Sequence, residues 1–307
     1  MKWLFGYGRL KKLGILAMNR RNSECILDLN PRHAYPVVDE KHRMHLLCQK
    51  IGVPTPDIYG IVETHSALRR LPKMLEPLTD FVIKPNRGAG GRGILVVLGK
   101  DGELYIRHNG KRMSYGELRQ HVCDVISGLC SLGGRNDEVI LQQRVVLDPQ
   151  FQAISYQGIG DIRVIVYKKV PAMAMLRLPT MKSGGRANLH QGGIGAGIDM
   201  ETGITTHAVM DNRVTEKHPD TGESVIGFQV PQWSEIIEMS RKVGENVDLG
   251  YVGVDIVLDV HRGPLLLEAN ARPGLSIQIA NAKGLIPVLR EIDDTLARND
   301  AARRRES

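Results

Sequence analysis

Residues 253–258 read Gly-Val-Asp-Ile-Val-Leu, and residues 265–270 read Leu-Leu-Leu-Glu-Ala-Asn. Two apolar runs this close together predict a β-hairpin. Its polar interruptions are Asp255, Glu268 and Asn270. Glu268 and Asn270 lie two residues apart, so an extended chain puts both on one face. A turn centred on His261-Arg262 sets Asp255 opposite Glu268, with Cβ atoms roughly 4.5–5.5 Å apart. Ile256, Val257, Leu265, Leu266 and Leu267 indicate burial, where facing carboxylates are costly unless a cation joins them. A hard cation with oxygen ligands, Mg²⁺ above all, resolves that conflict and keeps positions open for phosphate oxygens. Carboxylates on an exposed sheet edge would need no ion, but such an edge would not be flanked by this many aliphatic residues.

Upstream, Phe81-Val82-Ile83-Lys84 and Ile94–Leu98 predict two strands around Gly88-Ala89-Gly90-Gly91-Arg92-Gly93. The glycine spacing fits a dinucleotide fingerprint, yet that motif must open a helix and here another β run follows. What remains is a hairpin whose bare N–H groups can fold over phosphates, with Arg87 and Arg92 adding charge. Lys84 ends its strand within reach of an α- or β-phosphate. The glycines alone fit an ordinary hairpin equally well.

The remaining pattern is α+β. Met44, Leu47, Cys48 and Ile51 recur at helical spacing, and Gly52, Pro54 and Pro56 end that helix. Residues 65–76 predict a second helix. Ser114 and Glu117 form a capping-box signature for a third, running to about Ser131. Val139–Val146, Ile162–Lys168 and Ala172–Leu178 are β-rich, and 179–197 is a Gly-, Ser- and Asn-rich loop. Pro231 to Leu249 predicts a helix, and a last one starts near Ser276. Leu13–Met18 allows one or two helical turns, broken by Asn19-Arg20-Arg21-Asn22. Strands and helices do not alternate as regular βαβ units.

Lys84, a Gly-rich hairpin and a late Asp…Glu-x-Asn triad, in that order, resemble the ATP-grasp superfamily, and within it the RimK-type glutamate ligases and the short alpha-L-glutamate ligase homologues. Further motifs carry the likeness: Asp39-Glu40-Lys41, Asp161-Ile162-Arg163, and Arg186-Ala187-Asn188-Leu189-His190-Gln191-Gly192-Gly193. The resemblance implies two α/β subdomains clamping ATP over residues 39–293, with a lid at about 78–145. A short basic leader would occupy 1–38 and a disordered basic tail 294–307. It implies nucleotide contacts from Lys41, Lys84, Gly88, Gly90, Gly91, Arg92, Gly93, Gln143, Arg144, Asp161 near the ribose, and Asn188. It places Mg²⁺, replaceable by Mn²⁺, on Asp255, Glu268 and Asn270. Catalytic roles fall to Arg163 facing the reacting phosphoryl group, Arg186, Arg272 and His190. His190 is as readily a loop residue bonded to backbone. The implied reaction joins glutamate or a similar amino acid to an acidic peptide or small molecule through an acyl phosphate. A small-molecule kinase and a catalytically weak nucleotide-binding protein remain alternatives.

Three features depart from the RimK pattern. Only 38 residues precede Asp39, so the subdomain that often helps bind the acceptor is missing or vestigial. Gln143 stands where the family often has Glu. Arg272 replaces a serine and could bind a carboxylate or developing phosphate.

Composition narrows the partners. Lys+Arg number 41 against 34 Asp+Glu, for a formal charge of +7. Aromatics make up 5% and no basic run is interleaved with them, which argues against a nucleic-acid platform. The arginines and lysines of the expected site suit ATP and a carboxylate instead, while Arg9–Lys12 and Arg303–Arg305 lie outside that chemistry. Four scattered cysteines without a CxxC pair predict a reduced, cytoplasmic protein. No apolar run reaches the roughly 20 residues of a membrane helix. A homo-oligomer stays open.

Overall fold

The computed structural model describes residues 8, 12–88, 91–131 and 134–306. The chain divides into two compact units, one of residues 39–49 and 54–146, the other of 1–38, 50–53 and 147–307.

The smaller unit is built on a six-stranded antiparallel sheet. In chain order its strands are β1 (Ile58–Val62), β2 (Phe81–Pro85), β3 (Leu95–Asp101), β4 (Leu104–Arg107), β5 (Arg112–Met113) and β6 (Val139–Gln142). They lie side by side as β1-β6-β2-β3-β4-β5. Helix α1 (Lys41–Ile51) runs where the sequence predicts it. Helix α2 (Tyr115–Ile126) opens on the expected capping box: Ser114 N donates to Glu117 at 2.7 Å, and Glu117 N donates to Ser114 Oγ at 3.3 Å. Its buried Leu118, Val122 and Val125 recur at helical spacing and join Phe81, Ile83, Leu95 and Leu141 in one core. The expected lid, 78–145, falls within this unit, which begins earlier, at Asp39.

The larger unit has a seven-stranded sheet. Its strands are β7 (Asp161–Tyr167), β8 (Val170–Leu178), β9 (Ile194–Ile198), β10 (Thr205–Met210), β11 (Arg213–Val214), β12 (Tyr251–Asp259) and β13 (Gly263–Asn270). The order is β11-β10-β9-β8-β7-β12-β13, with antiparallel pairing throughout. The glycines of Ile-Gly-Ala-Gly-Ile, poor strand formers, predict a loop here, yet 194–198 is strand β9. The glycine is spatial: a Cβ on Gly197 would lie 2.6 Å from Asn281 Cα. Helix α3 (Trp233–Asn246) covers one sheet face with Ile236, Met239 and Val243.

The other face is divided. Ile165, Tyr167, Met173, Met175 and Tyr251 form an apolar floor under Ile277, Ala280, Leu285 and Leu289, and also under Leu16, Cys25 and Ile26. The segment expected to be a leader thus contributes Leu16, Cys25 and Ile26 to the core. Within the expected Leu13–Met18 helix, residues 13–17 are not helical; the helical turns begin only at Met18 and run through Asn19–Asn22 to Leu27. The reason is a tertiary lock. Gln278 accepts from Leu16 N at 2.8 Å and donates to Leu16 O at 3.1 Å, holding that backbone extended. Buried Asn30 likewise donates to Tyr251 O and Ala271 O at 2.7 and 3.0 Å and accepts from Tyr251 N at 2.9 Å. At the other terminus, helix α4 (Leu285–Glu306) continues through the segment expected to be a disordered tail. Leu285 and Leu289 bury its start, and Ala297, Ala301, Ala302, Arg303, Arg304 and Arg305 favour its continuation.

Asn30→Ala leaves three buried backbone groups without partners. It is expected to lower unfolding free energy by about 2–4 kcal/mol in a denaturant titration. A change below about 0.5 kcal/mol would show that the leader contributes little to this unit.

Candidate active site

The β7–β12–β13 register brings the polar residues together. Arg163 pairs with Asp255 across β7 and β12, and Asp255 pairs with Glu268 across β12 and β13. Asp161 pairs with Arg177 across β7 and β8. The hairpin reaches the predicted Asp255–Glu268 pairing by a different route. Its turn pairs Asp259 with Gly263, a register that would miss Glu268 by one residue. Leu267 bulges from β13 between Leu266 and Glu268 and restores the match.

Buried charge is compensated by guanidinium groups. Arg163 grips Asp255 with both ends, Nε to Oδ1 at 2.7 Å and Nη2 to Oδ2 at 2.5 Å. Arg177 grips Asp161 at 2.5 and 2.7 Å and adds a 2.8 Å bond to Asp255 Oδ2. Burial pushes the Asp161 carboxyl up to about 6, with Arg177 opposing and the Asp255 charge adding to the rise. Burial also opposes the Asp255 charge, but Arg163 and Arg177 outweigh it and hold that carboxyl at about 2. The arginines therefore do what the sequence reading assigned to a cation. Arg177 escaped that reading, although a single guanidinium in the apolar run Ala172–Leu178 was its signal.

The three residues expected to hold a cation lie beside these forks. Asn270 Nδ2 lies 3.2 Å from Asp255 Oδ2 and 3.4 Å from Glu268 Oε1, so the three predicted ligands converge. Two carboxylates and a carboxamide are a hard donor set suited to Mg²⁺. Among the described residues, no group of three or more His, Cys, Asp or Glu forms a metal cluster.

The loop after β8 carries Arg186, Asn188 and His190. Asn188 Oδ1 accepts from His190 N at 3.0 Å and caps the turn Leu189–Gln191, while the Arg186 and His190 side chains are exposed. Three side chains from 211–220 clasp the loop's start. His218 bonds Pro179 O at 2.9 Å, Asp220 accepts from Met181 N at 2.8 Å, and Asp211 pairs with Lys182 at 2.6 Å. Arg272 sits beyond the triad with its guanidinium carbon 4.3 Å from the centre of the Tyr35 ring.

In the smaller unit, Lys84 is buried at the end of β2. Lys41 Nζ donates to Gly88 O at 2.7 Å, and Asp137 accepts from Arg87 N, so the Gly-rich turn is anchored on both sides. Gly91 and Gly93 have φ of +73° and +75°, a left-handed backbone that favours glycine. Arg92 is exposed, and Gly90 lies outside the described residues. Gln143 exchanges two bonds with the Asp57 backbone, at 2.8 and 3.2 Å, and Arg144 pairs with Asp80 at 2.6 Å. Both residues, expected at the nucleotide, make these contacts within their own unit.

The sequence matches the sugar-transfer associated ATP-grasp family over residues 20–294. No curated protein sequence matches the chain. Phosphoribosylamine–glycine ligase of Thermotoga maritima is similar in structure, with a TM-score of 0.51 at 15% identity over 84% of this chain and 54% of that one. That likeness shows the fold alone: α+β ATP-grasp, with two antiparallel sheets. The ATP-grasp ligase PsnB, complexed with a minimal precursor, has a TM-score of 0.46 at 14% identity, over 85% of this chain. The chain spans 60% of the length of PsnB. A RimK domain protein from Sphaerobacter thermophilus has a TM-score of 0.46 at 12% identity, over 85% of this chain and 70% of that one.

Arg177→Met strands the buried Asp161 carboxylate, while Asp255 keeps Arg163, and is expected to cost about 3–5 kcal/mol at pH ~8 in a denaturant titration. Folded Asp161 keeps its proton up to about pH 6, whereas an unfolded aspartate loses it near ~3.9. That proton uptake stabilises the fold at low pH, and the contribution is lost as pH rises through 6. Protonation should relieve the variant further, so its deficit should shrink at pH ~5. A deficit that does not change with pH would contradict this electrostatic account.

Proposed function

We propose that this chain, which belongs to the sugar-transfer associated ATP-grasp family, is an ATP-dependent ligase that joins a carboxylate to an amine. ATP-grasp proteins are typically enzymes of this kind, and homologues bind ATP with Mg²⁺. The observation that carries the reading is the convergence of Asp255, Glu268 and Asn270 beside the Arg163 and Arg177 forks. Such a cluster is costly to bury for stability alone and well suited to polyanion chemistry.

A carboxylate does not react with an amine unaided, because oxide is a hopeless leaving group. In the proposed reaction a carboxylate oxygen attacks the γ-phosphorus, ADP departs, and an acyl phosphate forms. The amine then attacks the acyl carbon, loses a proton and expels phosphate. Arg163 is assigned to the phosphoryl oxygens, with Arg177 holding its partner Asp255 in place. Lys41, Lys84, Arg186 and Asn188 are assigned to the nucleotide, and Arg272 to a substrate carboxylate. His190, exposed on its loop, is assigned to orient the amine or take its proton. Mg²⁺ on Asp255, Glu268 and Asn270 would neutralise phosphate charge. Gly88–Gly93 would exclude the water that hydrolyses acyl phosphates.

The substrate pair is proposed more broadly than the glutamate expected from sequence. The family is described as sugar-transfer associated, so we add sugar acids and amino sugars to acidic amino acids as candidate substrates. A screen of ADP release over pairs from these classes is expected to give one productive pair. With that pair, ¹⁸O from the carboxylate should appear in phosphate, whereas a stable phosphorylated product would identify a kinase. Glu268→Gln should lower ADP release by about 10²-fold while keeping the fold. Wild-type turnover in that variant would remove the metal assignment.

A further inference from the structure

The helical segment from Met18 to Leu27 brings one arginine to the edge of the charged cluster. Arg21 Nη1 donates to Pro273 O at 3.1 Å. Pro273 in turn lies over Gly253, where an added Cβ would stand 2.7 Å from Pro273 Cβ. Gly253 is flanked on the same strand face by Tyr251 and Asp255. Asp255 is the residue that Arg163 and Arg177 hold. Arg21 therefore reaches the boundary between the apolar floor and the buried charges.

Two polar atoms at this boundary lack protein partners. Arg21 Nε is buried with no hydrogen bond, and so is the hydroxyl of Tyr251, a residue 0% exposed. Native proteins rarely leave buried donors unsatisfied, because each costs about 1–3 kcal/mol. Here both orphans can donate, and one is charged. The complementary ligand is an anion with oxygen acceptors, and a carboxylate matches an arginine donor edge in geometry. Arg21 as a whole is only half buried, so part of its side chain meets solvent.

We propose that Arg21 and Tyr251 form an anchoring subsite for a carboxylate of the substrate. The N-terminal segment then contributes to recognition of the acceptor. The ownership of the carboxylate rests on the ligase reading; binding at Arg21 does not.

Full-length protein labelled with ¹⁵N at arginine Nε tests this directly. The Arg21 resonance is assigned by its loss in Arg21→Lys or, if that variant misfolds, in Arg21→Gln. Sodium acetate and sodium succinate are titrated in the presence of MgADP, with sodium chloride at matched ionic strength as control. The expected result is a saturable shift of the Arg21 Nε–H signal with a carboxylate and not with chloride. Tyr251→Phe should weaken that binding by about tenfold, the loss of one charge-assisted hydrogen bond. No shift with either carboxylate, an equal shift with chloride, or an unchanged midpoint in Tyr251→Phe overturns the proposal. Carboxylate binding without ADP release in any substrate screen would instead remove the ligase reading and leave the subsite. ADP release with a silent Arg21 would do the reverse.

Discussion

Two carboxylates, Asp161 and Asp255, are buried within one sheet, and two arginines from the same sheet neutralise them. Bare burial of either charge would cost more than a small core could offset. Bidentate pairing requires β7, β8 and β12 to lie in a single register, since a slip by one residue would turn each side chain to the opposite face. Strand order and chemistry are thus coupled. The register that satisfies the charges also delivers Glu268 and Asn270 to the same spot, and the Leu267 bulge makes that delivery possible.

The N-terminal segment answers a second constraint. One face of this sheet must be apolar at one end and charged at the other. Something has to cover the apolar end without blocking the charged one. Leu16, Cys25 and Ile26 cover it, fastened by Gln278 and Asn30, and the segment then turns at Arg21 and Tyr35 toward Pro273 and Arg272. Its basic composition reads as a solvated leader. Its function in the fold is that of a core element.

Much of the architecture was legible because it rests on local rules. The capping box at Ser114 and Glu117 needs only neighbours in sequence, and the alternation around Asp255 and Glu268 needs only a hairpin. Legibility fails where the cause lies far along the chain. β9 needs glycine because Asn281 presses against Gly197, and Leu16 is extended because Gln278 holds it. The role of Arg177 is not legible locally, because its partner, Asp161, is sixteen residues away and meets it only across a strand pair.

Sequence alone determined the fold class, the order of the motifs, and Asp161, Arg163 and Asp255 among the residues that carry charge into the core. Periodicity, turn residues and apolar flanks act over short distances, and they are written in the chain. Tertiary structure alone decided how the buried carboxylates are neutralised, which strand carries the bulge, and that Leu16, Cys25 and Ile26 belong to the core. Each of those outcomes depends on pairings between distant segments, whose energies exist only once the sheet has assembled.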